Sequence, residues 1–245
     1  MNRGTAVVTG ASSGIGAATA AALAEAGFDV VIGARRLDKL EGVGEAIGAR
    51  VLALDVTDDD SVAAFAAEIP ECSVLVNNAG GALGLERIED ADLGHWQAMY
   101  DTNVLGTLRV TKALLAALRA SGDGLVVMIG SIAGSQAYAG GAGYNAAKFA
   151  ERAFAEALRK ELFTEPIRVT EIEPGIVETD FSLVRFEGDA DRAAKVYEGV
   201  DALTARDVAE CVAFVATRPG RVNIDQMVVL ARDQLGATQL NRKAT

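Results

Sequence analysis

The sequence contains few of the residues that several common functional sites require. It has one histidine, four prolines, two cysteines and one tryptophan among 245 residues. A mechanism that needs paired histidines is therefore excluded, and Cys72 and Cys211 are too far apart in sequence to form a C-x-x-C motif. We expect no cysteine-based zinc site, no other metal site and no disulfide framework, as is typical of a reducing compartment.

Long hydrophobic runs and basic clusters are also lacking. No apolar stretch reaches the ~18 residues of a membrane span, and Met1 leads into a strand-like run without a basic and apolar leader. Lys and Arg total 23 against 34 Asp and Glu, so the net charge is −11, and there is no basic block. We therefore expect a cytoplasmic protein that binds neither membranes nor nucleic acids.

The residues that are abundant form alternating strand-like and helix-like segments. Half of the chain is hydrophobic, which is enough for a large core. Strands are predicted at about 5–9, 30–32, 51–54, 74–76, 125–129, 167–172 and 227–230. Helices are predicted at about 14–26, 36–47, 58–68, 142–163 and 205–217, with a long helical region within 90–120.

This order predicts one α/β domain over residues 1–245. Strands this apolar are expected where helices cover both faces of a sheet. Right-handed crossovers between them give a doubly wound parallel sheet of about seven strands. The long irregular stretch at about 175–190, within a region of 175–200, is the predicted substrate lid.

A glycine-rich loop lies between the first predicted strand and the first predicted helix. It reads Thr9-Gly10-Ala11-Ser12-Ser13-Gly14-Ile15-Gly16. Glycines at this junction let the backbone turn sharply and approach a pyrophosphate, which the free N–H groups of the helix N-terminus attract. The alternative is an ordinary tight turn, because glycine-rich turns are common.

Four further motifs follow along the chain. Asn77-Asn78-Ala79-Gly80 follows the fourth strand, Ser131 the fifth strand and Pro174-Gly175 the sixth, while Tyr144-x-x-x-Lys148 lies near the start of a helix. Together with the T-G-x-x-x-G-I-G loop, they resemble the short-chain dehydrogenase/reductase family over essentially the whole chain. The resemblance implies a Rossmann-type fold, a nicotinamide cofactor and hydride transfer between an alcohol and a carbonyl.

The resemblance also implies a set of cofactor-binding residues on the loops that follow the strands. These are Gly10, Ser12, Ser13, Gly14, Ile15, Gly16, Arg35, Arg36, Asp55, Val56, Asn77, Ala79, Gly80, Tyr144, Lys148, Pro174, Gly175, Val177 and Thr179.

The end of the second strand favours NADP(H) over NAD(H). An acidic residue at this place binds the ribose 2′-hydroxyl and repels a 2′-phosphate, but here Arg35 and Arg36 follow the strand. Guanidinium groups bind phosphate through paired hydrogen bonds. The alternative is that both arginines only begin a solvated helix. Asp55, after the third strand, matches the family residue that binds the adenine amino group, or else it caps the next helix.

Four residues match the catalytic positions of the family. Tyr144 and Lys148 share one face of a helix, and the ammonium with the nicotinamide charge is expected to lower a phenol pKa that is ordinarily about 10. The resemblance implies that Lys148 binds the cofactor ribose and that Ser131 donates a hydrogen bond to the substrate carbonyl. It also implies that Asn103 holds a water between Lys148 and solvent; a helix cap or a satisfied buried amide is the alternative.

The segment 173–186 indicates the substrate. Its F-S-x-V-R-F motif, with Ala202-Leu203-Thr204 and Arg221-Val222-Asn223-Ile224, resembles the bacterial NADP-dependent 3-hydroxy acid dehydrogenases, which are also described as serine or L-allo-threonine dehydrogenases. A substrate carboxylate requires a cation in this acidic protein, and Arg185 is the candidate. The three predicted substrate contacts are thus Ser131, Tyr144 and Arg185. The alternative for Arg185 is a structural ion pair that anchors the lid.

Other interpretations remain open. A reductase of a bulkier ketone or aldehyde is one, since Gly134, Ala139, Gly140 and Gly141 leave room near the active-site loop. A non-catalytic nicotinamide-nucleotide sensor is another, although it has no need of the four catalytic positions. Members of the family are commonly homotetramers, so we expect a homotetramer. His95 and Trp96 lie apart from the motifs and are expected to serve packing or an interface.

Overall fold

Strands and helices alternate along residues 2–243, the part of the chain that the computed structural model describes. The strands are β1 (Thr5–Thr9), β2 (Asp29–Ala34), β3 (Arg50–Ala53), β4 (Val74–Asn77), β5 (Gly124–Ile129), β6 (Ile167–Pro174), β7 (Val177–Glu178), β8 (Leu203–Thr204) and β9 (Gln226–Val229). The helices are α1 (Gly14–Glu25), α2 (Leu37–Ile47), α3 (Asp59–Ala67), α4 (Leu93–Tyr100), α5 (Gly106–Ala120), α6 (Ala142–Glu161), α7 (Phe181–Arg185), α8 (Ala190–Tyr197) and α9 (Ala205–Ala216).

Seven of the strands form one parallel sheet in the order β3-β2-β1-β4-β5-β6-β9. The winding direction reverses between β1 and β4. In such sheets, ligands bind in the crevice outside the carboxyl ends of the strands at this reversal. The prediction of a Rossmann-type doubly wound parallel sheet of about seven strands in a single α/β domain is confirmed.

The alternation of side chains along the strands builds a core on each face of the sheet. On one face Val8 and Ile32 pack with Leu23 of α1 and Val212 of α9. On the other face Val7 and Leu75 pack with residues of α3, α5 and α6. Because both faces are covered, the strands are apolar throughout rather than alternating with polar residues.

The stretch at 175–190 is more ordered than we predicted. The expectation of an irregular segment is wrong, because it contains β7, α7 and the start of α8, and β7 pairs with β8 in a second, two-stranded parallel sheet. Glu187 and Gly188 both have positive φ values and turn the chain between the two helices. Asp189 then caps α8 by accepting a hydrogen bond from the backbone N–H of Arg192. Helices this short carry little periodic signal.

The predicted helical region within 90–120 consists of two α-helices. A π-helical turn, Asp101–Leu105, joins α4 to α5 without a break in the path of the chain. Such turns are rare and are often found at functional sites; this one directs Asn103 into the interior. In the described part of the chain, no helix is both long and apolar enough to cross a membrane.

Candidate active site

A cavity of about 720 Å³ lies at the carboxyl ends of the central strands. The glycine-rich loop after β1 forms one end, and α6 with Tyr144 and Lys148 forms another part of the wall. The segment from β7 to α8 and the chain after β9 enclose the remainder. Its volume is within the usual range of small-molecule and cofactor sites.

The loop after β1 is tightly folded and needs its glycines. Gly10 has φ 66°, and a Cβ atom there would lie 2.8 Å from the Cα atom of Ala79. A Cβ on Gly16 would lie 2.5 Å from the carbonyl oxygen of Gly10. Gly10 faces the cavity, whereas Gly16 is buried against the loop and does not line it. Close approach of the backbone to a ligand is therefore possible along this loop.

A pair of asparagines follows β4, and the structure separates their roles. Asn77 is buried and donates a hydrogen bond to the hydroxyl of Thr111, so it does not line the cavity. Asn78 does line it, and its side chain donates to the carbonyl oxygens of Thr9 and Gly10. The sequence interpretation named Asn77; the residue that contacts the glycine-rich loop and faces the cavity is Asn78.

The two arginines after β2 lie at the same end of the cavity. Arg36 donates hydrogen bonds from its guanidinium to the hydroxyls of Ser12 and Ser13. Arg35 is exposed and lies near Asp55. This end of the cavity thus combines two guanidinium groups with two hydroxyls, a set of donors suited to a phosphate group.

Asp55 is half-buried in the cavity wall and does not cap the next helix. Its carboxylate accepts hydrogen bonds from the backbone and the hydroxyl of Thr57, while Asp58 caps α3. Partial burial raises the pKa of Asp55, but the Thr57 hydrogen bonds and the charge of Arg35 outweigh it, so the pKa lies below its ordinary value. Asp55 is therefore a carboxylate that can accept a hydrogen bond from a ligand.

Most of the other predicted cofactor residues also line this cavity. They are Gly14, Ile15, Val56, Ala79, Gly80, Pro174, Gly175, Val177 and Thr179. Their common position reflects the parallel sheet, because the loops after successive parallel strands meet at one edge.

Tyr144 and Lys148 lie side by side on α6 in the cavity wall. Both side chains are buried, and the ammonium is 5.9 Å from the centroid of the Tyr144 ring. Burial raises the pKa of Tyr144, whereas the charge of Lys148 and the hydroxyl of Ser131 lower it. Burial prevails, so the pKa is above its ordinary value. The expected lowering by Lys148 is present, but the protein alone does not make this phenol a base at neutral pH.

Ser131 lies at the end of β5 and begins a short 3₁₀ turn. Its hydroxyl oxygen accepts a hydrogen bond from the backbone N–H of Ala133. The hydroxyl proton is left to be donated, because a serine hydroxyl both accepts and donates. Ser131 lines the cavity together with Tyr144.

Asn103 is completely buried and does not line the cavity. Its amide oxygen accepts from the backbone N–H of Gly81, and its amide nitrogen donates to the carbonyl oxygens of Gly81 and Met99. This arrangement is the satisfied buried amide that we considered as the alternative. It ties the π-helical turn to the loop after β4, directly behind Gly80.

Arg185 is buried at the end of α7 and takes part in two kinds of contact. Its Nε donates to the carbonyl oxygen of Gly84 and its Nη1 donates to the hydroxyl of Tyr138. Within residues 2–243, its Nη2 is buried without a hydrogen-bond partner. The guanidinium lies 5.8 Å from the centroid of the Tyr144 ring and lines the cavity. The residue therefore anchors the segment and also retains one buried donor, Nη2, that no group within residues 2–243 accepts from.

Two expectations about neighbouring residues need correction. Trp96 does serve packing, as expected, but it is not remote from the motifs: it packs against Gly143, next to Tyr144. The small residues near the active-site loop do not all leave room. A Cβ on Gly134 would lie 2.8 Å from the carbonyl oxygen of Lys148, and one on Gly141 would overlap the Tyr138 ring.

The sequence interpretation also missed part of the cavity wall. Beyond Asn78, the missed residues include Tyr138 and Tyr197, and five residues after the last strand: Gln234, Ala237, Thr238, Leu240 and Arg242. The second Asn of the N-N-A-G motif was a signal for Asn78. The chain after β9 has no such motif, and only the tertiary fold brings it to the cavity.

Comparison with known proteins agrees with this geometry. A model of the short chain dehydrogenase family matches residues 4–189. An uncharacterized oxidoreductase of Mycobacterium tuberculosis is 58% identical over 240 residues, covering 98% of this chain and 94% of that protein. The sulfoacetaldehyde reductase of Chromohalobacter salexigens is 42% identical over 236 residues, or 93% of each chain.

Two further similarities bear on the cofactor. An NADP-dependent 3-hydroxy acid dehydrogenase of Schizosaccharomyces pombe is 38% identical over 250 residues, covering 98% of this chain and 96% of that protein. The closed form of serine dehydrogenase complexed with NADP⁺ superposes with a TM-score of 0.92 at 37% identity, covering 98% of this chain and 100% of the other.

Proposed function

The chain belongs to the short-chain dehydrogenase family, and we propose that it is an NADP(H)-dependent oxidoreductase that interconverts an alcohol and a carbonyl compound. The family model that matches residues 4–189 confirms the family resemblance seen in the sequence. The observation that carries the proposal is that Tyr144, Lys148 and Ser131 line the same cavity as the glycine-rich loop. Such a set has no purpose in a protein that only senses a nucleotide.

The residues present fit NADP(H). The glycine-rich loop and the N-terminus of α1 suit the pyrophosphate, and Asp55 can accept a hydrogen bond from the adenine amino group. The hydroxyls of Ser12 and Ser13 with the guanidinium of Arg36 and nearby Arg35 suit the 2′-phosphate, which NAD(H) lacks. The NADP-dependent relatives and the structure with bound NADP⁺ support the same assignment.

The protein side of the reaction is acid–base chemistry. The nicotinamide, when bound, donates or accepts the hydride. Ser131 donates a hydrogen bond to the carbonyl or alcohol oxygen, and Tyr144 transfers the proton of that oxygen. Lys148 binds the cofactor ribose and lowers the pKa of Tyr144, and the positive charge of an oxidised nicotinamide lowers it further. Asn103 acts by holding the loop after β4 in place, through its hydrogen bonds with Gly81.

We propose a small anionic substrate, with 3-hydroxy acids favoured. The support is Arg185, which lines the cavity near Tyr144 and whose Nη2, within residues 2–243, is buried without a hydrogen-bond partner. A buried charged donor without a partner is costly, and a substrate carboxylate that reaches Nη2 would satisfy it. A sulfonate would do so as well, and one relative is a sulfoacetaldehyde reductase. Reduction of a bulkier ketone has less support, because Gly134 and Gly141 serve close packing.

A substrate panel tests this proposal. The protein is assayed with 3-hydroxy acids, neutral alcohols of similar length and sulfoacetaldehyde, each with NADP(H) and with NAD(H). We expect the highest kcat/KM for an anionic substrate with NADP(H). A neutral alcohol or ketone that is turned over better than every anionic compound would rule out the substrate assignment, while leaving the reaction class intact.

We also propose that the region 175–200 acts as a lid over the substrate. It supplies Arg185 and part of the cavity wall, and Arg242 donates hydrogen bonds to the carbonyl oxygens of Val196 and Glu198 at the end of α8. The chain after β9 therefore stabilises the position of the region 175–200 through these hydrogen bonds. Limited proteolysis with and without NADP⁺ tests this: we expect NADP⁺ to protect the region from cleavage.

The proposed assembly is a homotetramer in the cytoplasm. Large apolar side chains remain exposed on helices α5, α6 and α9 and on β9, namely Leu108, Phe149, Phe214 and Val228. Such residues are frequent at contacts between subunits. Light scattering measures the assembly directly, and a monomeric mass would contradict it. The two cysteines are free, as expected in a reducing compartment.

A further inference from the structure

Lys148 has a buried carboxylate as its closest charged neighbour. Oε2 of Glu151 lies 2.6 Å from the ammonium, and both side chains are more than nine-tenths buried. The i,i+3 spacing on α6 brings the two groups together. The carbonyl oxygen of Ile129 accepts a hydrogen bond from the same ammonium, at 3.0 Å. An ammonium has three donors, so at least one remains for the cavity.

This ion pair is not needed for packing. A buried ion pair contributes little to stability on balance, because the desolvation of both charges offsets their attraction. An apolar side chain at residue 151 would fill the same space at lower cost. A carboxylate at this position therefore indicates that the orientation and the charge of the Lys148 ammonium matter for function.

We propose that Glu151 is a positioning residue for the reaction proposed above: it acts through Lys148, fixes the direction of the ammonium and determines the pH range in which Tyr144 becomes a base. Tyr144 and Lys148 are the groups that touch the substrate and the cofactor in that reaction. Glu151 does not line the cavity. It affects Tyr144 and Lys148 only through its charge and its contact with Lys148.

The ionisation of Tyr144 depends on the total charge of the buried group that it forms with Lys148 and Glu151. With Glu151 ionised, it and Lys148 form a neutral pair, so a Tyr144 phenolate has only the Arg185 guanidinium, 5.8 Å from the ring centroid, as an uncompensated cation nearby. With residue 151 uncharged, removing the proton of Tyr144 creates a neutral Lys148–Tyr144 pair instead. The second case is easier in a medium of low dielectric constant. The charge of Glu151 does act to raise the pKa of Tyr144.

Other charged groups near Glu151 also contribute to the total charge of this buried site. Glu171 and Glu173 lie on the face of β6 toward α6, and Nη1 of Arg152 is 3.6 Å from Glu173. Glu171 accepts a hydrogen bond from Gln226 on β9. Burial and, after it, the like charges of Glu173 and Glu151 raise the pKa of Glu171 to about 7. Burial also raises the pKa of Glu151, whereas the charge of Lys148 lowers it. The 2.6 Å contact makes Glu151 the carboxylate that balances Lys148.

The experiment compares Glu151→Gln with wild-type protein and with Glu156→Gln. Glu156 lies on the same helix but pairs with Lys160 at the surface, which makes the second variant a matched control. The pH dependence of kcat/KM for alcohol oxidation with NADP⁺ is measured for each. We expect the acidic limb of Glu151→Gln to move to lower pH by about one unit, which is about tenfold in rate at a pH on that limb.

A second readout needs no substrate. Ionisation of Tyr144 is followed by ultraviolet difference absorbance, with Tyr144→Phe as the background for the remaining tyrosines. We expect the ionisation to move to lower pH in Glu151→Gln and to stay unchanged in Glu156→Gln. If none of the tested alcohols is oxidised, the proposed function fails, and this titration still decides the role of Glu151.

A purely structural role for Glu151 gives a different result. It would lower activity or stability at every pH without moving the acidic limb or the Tyr144 titration, and that outcome overturns the proposal. A move to higher pH overturns it as well. If Glu151→Gln does not fold, Glu151→Met, which also lacks the charge, takes its place with the same expected shift. If neither variant folds, Glu151 is a structural residue and the proposal is wrong.

Discussion

The guanidinium of Arg36 donates hydrogen bonds to the hydroxyls of Ser12 and Ser13, over distances of 2.9 and 2.7 Å. These contacts join the end of β2 to the loop after β1. They hold Arg36 in place beside the cavity, so that less side-chain entropy is lost when an anion binds. The specificity of this end of the cavity therefore depends on a small group of donors whose effects can be measured.

Replacing the arginines should reduce the preference for NADP(H). In Arg36→Ala and in Arg35→Ala we expect KM for NADPH to rise by about tenfold to 150-fold, since a charged hydrogen bond contributes about 1.5–3 kcal/mol. KM for NADH should change little, because NADH has no 2′-phosphate. Steady-state kinetics with both cofactors provide the measurement. Arg218→Ala, at a half-buried site after α9 and outside the cavity wall, is the control. Equal kcat/KM for both cofactors in the wild type would contradict the assignment.

Removing the phenol hydroxyl should greatly reduce turnover without affecting cofactor binding. In Tyr144→Phe we expect kcat to fall by about 10²- to 10⁴-fold, the usual contribution of a positioned acid or base. The dissociation constant for NADPH, measured by fluorescence titration, should remain close to that of the wild type. Tyr100→Phe, at a half-exposed position, serves as the control. A kcat that survives in Tyr144→Phe would exclude Tyr144 as the proton donor.

Arg185 should distinguish anionic from neutral substrates. In Arg185→Met we expect kcat/KM for a 3-hydroxy acid to fall about tenfold to 150-fold, and kcat/KM for a neutral alcohol to fall much less. Both contacts of Arg185 with the protein are lost in this variant, and Tyr138→Phe, which removes only one of them, is the matched comparison. Equal losses on the two substrates would show that Arg185 only anchors α7.

Glu171 should make the protein less stable as the pH rises. Its pKa is about 7 in the fold against 4.5 ordinarily. Its contribution is fully present below the unfolded pKa and is lost as the pH rises through the folded pKa, because the unfolded chain releases the proton first. The loss amounts to at most about 3 kcal/mol. Glu171→Gln should therefore be more stable than wild type at about pH 8.5 and similar at about pH 5.

Urea unfolding at the two pH values measures this effect. Glu156→Gln, which changes an exposed carboxylate, should show no such pH dependence. A Glu171→Gln variant that gains as much stability at the lower pH as at the higher one would show that packing, and not ionisation, is responsible.

Local patterns predicted the sheet and most of the site. Strand runs such as 125–129 are apolar because helices cover both faces of the sheet. A continuous apolar run of this length can be recognised in the sequence. Tyr144 and Lys148 were assigned from their spacing and from their place after Ser131. The short helices α7 and α8 were missed because five to eight residues carry too little periodicity, and a turn at Glu187 with positive φ separates them.

By itself, the sequence determined the fold class, the family and the end of the cavity that favours a 2′-phosphate. These depend on residues that are close together along the chain. The tertiary structure alone decided that Asn78 and not Asn77 faces the cavity, that the chain after β9 forms part of its wall, and that Glu151 contacts Lys148. The physical reason is that burial and charge balance depend on which distant segments meet, and no local pattern records that.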